Sequence, residues 1–152
     1  MKTQKLILEQ IDSKILKLKK LKDLSIPHSG WIYAIRQALG MSLRQLGNRM
    51  GITPQSVKEN EMREKNGTIS LNALRQFGKS MDMKLVYGFI PKEASLEKII
   101  EKRASEIAAE IVNRTSVNMT LEDQENSPKR IRKAIAEKTA EIKTEMPKYL
   151  WD

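Results

Sequence analysis

Within six positions the chain carries Thr53, Gln55, Ser56 and Lys58, side chains whose common chemistry is hydrogen bonding. A Gln amide can bind adenine in bidentate fashion, a Lys ammonium can bind guanine, and a Ser hydroxyl suits either base. Nearby Arg44, Lys65 and Asn66 suit phosphate oxygens, contacts that position a protein on DNA without choosing sequence. Groups suited to catalysis are scarce. The single histidine, His28, follows Pro27 at a helix entrance, and there is no cysteine. No glycine-rich phosphate loop of dinucleotide or nucleotide type occurs. Glu101, Glu106 and Glu110 alternate with bases at helical spacing, where solvated ion pairing is the ordinary role of a carboxylate. The expectation is therefore recognition rather than catalysis, with no catalytic residue, metal ligand or cofactor.

Two short helices must hold the recognition set. Ser42 with Gln45 forms a capping box at the start of the first, and Leu43, Leu46 and Met50 make its buried stripe. Gly51 supplies the left-handed turn. Thr53 caps the second helix, Pro54 fits its first turn where no N–H is needed, and Val57 points inward. The stretch Met41–Glu61 thus reads as a helix-turn-helix, whose second helix enters the major groove with its N-terminal residues at the base edges. Ahead of it, Trp31–Leu39 reads as a helix with Trp31, Ile35, Ala38 and Leu39 apolar, stopped by Gly40. After the polar loop Met62–Thr68, Ser70 caps a helix carrying Leu71, Leu74, Phe77 and Met81.

Outside this module the pattern changes. Residues 3–24 form an amphipathic helix with Leu8, Ile11, Ile15, Leu18 and Leu21 on one stripe, suited to packing on its own domain, to a dimer seam or to a partner. Leu85–Ile90 is short, aromatic and β-branched, and Pro91 ends it, so it reads as a strand. A lone strand is not stable, and a second copy is its simplest partner, through Leu85, Val86, Tyr87 and Phe89. Ser95–Asn113 is helical, Arg114–Ser127 irregular around Met119 and Leu121, and a last helix runs from Ser127-Pro128 to about Thr144. The expected fold is mostly α: a helix-turn-helix bundle with an N-terminal helix, one short β-strand and C-terminal helices. It divides into residues 1–29, 30–91 and 92–152.

Composition limits the functions available. The chain has 152 residues and net charge +9, of which +8 falls in residues 1–82, around the helix-turn-helix. A polyanion is the natural partner of that half, and the nearly neutral remainder points to another role. No apolar run spans a bilayer, the charged N-terminus does not read as a signal peptide, and the absence of cysteine suits a reducing cytoplasm.

From Gly30 to Leu85 the chain resembles the lambda-repressor-like (XRE-type) helix-turn-helix family. Arg36 precedes Gly40 by four residues, and Leu46, Gly51, Ile52, Thr53, Val57 and Glu61 match the family's core and turn positions. The resemblance implies a structural ion pair between Arg36 and Glu61. Two departures stand out. Leu43 replaces a phosphate-binding Gln, and Gly47 replaces the usual Ala, weakening the helix by up to about 1 kcal/mol while allowing closer packing. As a whole the chain resembles the mobile mystery protein A family, on GWIYAIRQALGMSLRQLGNRMG, LVYGFIP, NMTLEDQ and a Trp near the C-terminus. That resemblance implies an antitoxin that neutralises a Fic-domain toxin and regulates its own operon, as a homodimer on a palindromic double-stranded operator. Toxin binding would fall to the C-terminal half, with Met119, Leu121, Tyr149 and Trp151 as anchors. No Ser or Thr has Glu four positions on, so the inhibitory [S/T]-x-x-x-E-[G/N] helix of many Fic antitoxins is missing. The alternative is a stand-alone XRE-type repressor whose C-terminal helices only support dimerisation.

Overall fold

A computed structural model describes residues 2–121 and 127–152, apart from the side chains of 119–121. The protein is mostly helical. The described residues form α1 (Lys2–Leu18), α2 (Trp31–Ala38), α3 (Leu43–Met50), α4 (Pro54–Lys65), α5 (Leu71–Ser80), α6 (Leu96–Leu121) and α7 (Pro128–Glu145). Short 3-10 turns cover Lys19–Leu21 and Lys148–Trp151. Contacts gather the chain into two units, Asp23–Gly88 and Met1–Lys22 with Phe89–Asp152. The second unit joins both ends of the chain, a regrouping absent from the threefold division at 29 and 91.

In unit Asp23–Gly88 the helix starts follow from local chemistry. Ser42 Oγ accepts the Gln45 N–H at 3.0 Å while Gln45 Oε1 accepts the Ser42 N–H at 2.8 Å, a complete capping box. Thr53 and Ser70 cap α4 and α5 by accepting from Ser56 and Ala73. The core is Ile32, Leu46, Val57, Phe77 and Met81, with Leu43, Met50 and Leu74 partly buried around it. Ile32 fills the place expected of Trp31. Trp31 and Leu39 are instead exposed, since a helix of this length buries only the Ile32–Arg36 side.

The other unit is built on α6 and α7. Its core comprises Ile100, Ala104, Ile107, Ala108, Ile142 and Leu150. Fully buried Ala104 and Ala108 let α7 approach α6 closely, a role that a search for large apolar residues overlooks. Of the stretch Arg114–Ser127, expected to be irregular, the part up to Leu121 is helical, because α6 continues through it, and 122–126 lie outside the described residues. Polar side chains there do not break the helix, and Thr115 Oγ1 satisfies itself by donating to the Ile111 carbonyl at 3.0 Å. There is no strand among the described residues, so Leu85–Ile90 finds no ladder partner within them. A strand needs a ladder partner, and neither unit presents one. No helix among the described residues is long and apolar enough to cross a membrane.

Candidate nucleic-acid interface

The turn Gly51–Thr53 sets the angle at which α4 leaves α3. Gly51 takes φ 68°, where a side chain would be strained. Gly47 is needed for a different reason. It is buried in α3, and a Cβ there would lie 2.6 Å from the Ile52 carbonyl oxygen. The Ile52 N–H donates to the Gly47 carbonyl at 2.9 Å, tying the turn against the helix. The apparent helix-weakening residue therefore permits a backbone contact.

A buried ion pair locks α4 onto α2. Arg36 Nε donates to Glu61 Oε1 at 2.5 Å and Nη2 to Glu61 Oε2 at 3.2 Å, a forked contact between side chains 7% and 8% exposed. Arg36 Nη1 donates to the Met41 carbonyl at 2.9 Å, so the same guanidinium also holds the chain entering α3. One turn along α4, Glu64 accepts from the Trp31 and Ile32 N–H groups at 3.0 and 2.8 Å. A carboxylate on the free amides at the start of α2 also meets the positive end of that helix dipole. The sequence reading missed Glu64. Its signal was the i,i+3 spacing from Glu61, which puts both carboxylates on one face.

With that face of α4 held, the residues expected to read DNA at its start can be sorted by what each side chain already does. Thr53 Oγ1 is engaged in the cap. Ser56 is half-buried, and its carbonyl accepts from Asn60 Nδ2 at 2.9 Å. Gln55 and Lys58 are exposed and form no side-chain hydrogen bond or ion pair among the described residues. Arg44, on α3, and Lys65, in the last turn of α4, are likewise exposed and unpaired, while Asn66 is the exposed C-cap of α4. Leu43 packs partly into the core, where the expected phosphate-binding Gln would be. His28 is exposed at its loop, and no three His, Asp or Glu side chains gather as metal ligands would among the described residues.

The residues expected to bind partners are scattered. Val86, Tyr87 and Phe89 are exposed, Phe89 at 87%, and Leu85 is half-buried. The Arg75 guanidinium lies over the Tyr87 ring at 5.8 Å. The boundary between the units falls at Gly88–Phe89, inside the expected strand. Tyr149 and Trp151 are exposed on the 3-10 turn Lys148–Trp151, on either side of fully buried Leu150. Arg103 braces that turn, donating to the Leu150 carbonyl at 2.8 Å and to the Asp152 carbonyl. Met119 and Leu121 lie on α6, and their side chains are outside the described residues. No family model, curated protein or solved structure matches this chain.

Proposed function

We propose that the protein is a sequence-specific DNA-binding antitoxin that represses its own operon and neutralises a Fic-domain toxin in the cytoplasm. In this reading α3, the Gly51 turn and α4 are a helix-turn-helix of the lambda-repressor-like kind, and α4 is its recognition helix. The supporting observation is the division of labour on α4. Glu61 and Glu64 hold one face to α2, while Gln55 and Lys58 stand exposed and unengaged near its start. Those are the chemistries that read adenine and guanine edges. Arg44, Lys65 and Asn66 serve the phosphates. Thr53 and Ser56 contact DNA secondarily, since the Thr53 hydroxyl already caps the helix.

One recognition helix covers a half-site, so a dimer on a palindrome is part of the proposal, with half-sites about one helical turn apart. Residues 85–90 supply the seam: a segment that finds no ladder in its own chain forms one with its copy. The toxin is assigned to the unit containing α6 and α7, where Tyr149 and Trp151 are exposed on a braced turn and aromatic anchors would dominate affinity. Footprinting on the chain's own promoter tests the DNA part: protection of an inverted repeat is expected, and no preference over random DNA rejects it. Co-expression with the adjacent reading frame tests the toxin part. A Fic protein captured and silenced supports the antitoxin, whereas operator binding without any captured neighbour favours the stand-alone repressor.

A further inference from the structure

None of the residues of α1 is buried, although the helix is seventeen residues long. Its attachment runs along one edge. Leu8 packs on the α6–α7 core, and Asp12 accepts the Leu96 and Glu97 N–H groups at 2.8 and 3.3 Å, capping α6. A second stripe is left over. Ile7, Ile11, Lys14 and Leu18 follow each other at steps of four, three and four, and Leu21 stands just beyond, in the 3-10 turn. That is the a/d spacing of a coiled-coil seam, narrower than the stripe a helix buries on a globular core. Ile7 is 53% and Ile11 38% exposed, and Leu18 is half-buried. None of the seven lysines of residues 2–22 has an ion pair among the described residues. Of the two acids in that stretch, Asp12 is committed to α6, and Glu9 lies about half a turn from the seam by helical spacing.

Charge decides what can cover this seam. Lys14 sits inside it, so a parallel second copy of α1 would set Lys14 against Lys14, and an antiparallel one would bury it against Ile11. Neither copy brings a carboxylate to the seam, and a cation left there facing its like or an apolar side chain selects against self-pairing. A lipid surface is a poor fit to so narrow a stripe with a cation inside it and no aromatic residue. We propose that α1 pairs through Ile7, Ile11, Lys14 and Leu18 with an acidic amphipathic helix of a partner protein, which places a carboxylate opposite Lys14. The proposal rests on the reading that this unit has a protein partner, but assigns it a surface other than Tyr149 and Trp151.

The test uses the full-length chain and a labelled synthetic peptide with leucines at a and d, glutamates at e and g, and one glutamate at the central d position. Binding is read by fluorescence anisotropy. Ile11→Asp and Lys14→Glu, both at exposed positions and checked by circular dichroism, should each weaken binding about tenfold or more. Lys14→Glu should regain affinity for the peptide carrying lysine at that central position, a charge swap that loss of folding cannot imitate. No binding by the wild type, or binding indifferent to both variants, overturns the proposal. So does a homodimer dissociated by Ile11→Asp, which makes the occupant a second copy. Ile11-dependent binding to phosphatidylserine vesicles without peptide binding also overturns it. If the adjacent reading frame's product is captured equally by wild type and Ile11→Asp, the seam is wrong and the antitoxin reading stands. If the charge swap holds and that product is not captured, the seam stands and the toxin assignment fails.

Discussion

At the scale of single residues, the Arg36–Glu61 pair carries the clearest energetic consequence. Desolvating two charges is costly, so the pair need not add much net stability, but removing one partner strands the other. Glu61→Ala should cost about 3–5 kcal/mol in urea unfolding, because Arg36 loses its carboxylate and keeps the Met41 carbonyl and the Tyr33 ring. Gly47→Ala opposes two effects. Helix propensity favours alanine by up to about 1 kcal/mol, whereas the new Cβ must displace the Ile52 carbonyl, a backbone atom. Backbone cannot swing aside like the end of a side chain, so Gly47→Ala should lower the melting temperature; a rise would mean that the turn yields easily. On the proposed DNA face, Gln55→Ala should lose discrimination between operator and random DNA while keeping most non-specific affinity, measured by competition gel shift. Lys65→Ala should weaken both and reduce the salt slope by about one unit.

At the scale of helices, burial separates elements of similar appearance in sequence. α1 and α7 are both amphipathic, but α7 fully buries Ile142, whereas α1 has no fully buried residue and only half-buries Leu8. Local opening free energy follows buried apolar contact, so amides of α1 should exchange with deuterium well before those of α6 and α7. Equal protection would show that a partner or a second copy covers α1 in solution. On α6, the hydrogen bond and charge of Lys98 hold the exposed Glu101 carboxyl below its ordinary range, with Lys143 helping. A lowered folded pKa means that the pair's contribution is complete above the usual carboxylate range and is lost as pH falls through the Glu101 value. Lys98→Gln should move the Glu101 titration, followed by carbon NMR, upward toward an ordinary glutamate. The starts of the capped helices were readable in advance, because Ser42, Thr53, Ser70 and Ser127 each accept from the amide three residues on. The continuation of α6 past Arg114 was not, since its polar residues carry no stop signal and no strong continuation signal.

For the whole molecule, the division into units changes what a truncation means. Residues 23–88 contain a closed core of their own, so a fragment limited to them should fold cooperatively and keep non-specific DNA affinity. At that size stability is marginal, and a lowered melting temperature is expected. Deleting 92–152 alone is a different experiment. It removes the α6–α7 core on which Leu8 packs and leaves α1 without its support. Loss of partner binding in that deletion would not by itself locate the contact, which is why point changes on α1 and at Trp151 are more informative.

By itself the sequence determined what is local: the absence of cysteine chemistry, the basic first half, the capped starts of four helices, the left-handed turn at Gly51 and the hydrogen-bonding set at the start of α4. These depend on residues a few positions apart, so spacing alone expresses them. The tertiary structure decided what depends on distant neighbours. It buried Ile32 rather than Trp31, turned Gly47 from a weakness into a requirement and set Glu64 on the amides of α2. It left residues 85–90 without a ladder and joined the first helix to the last two. Burial and pairing arise between elements, and no periodicity within one element records which face a neighbour will cover.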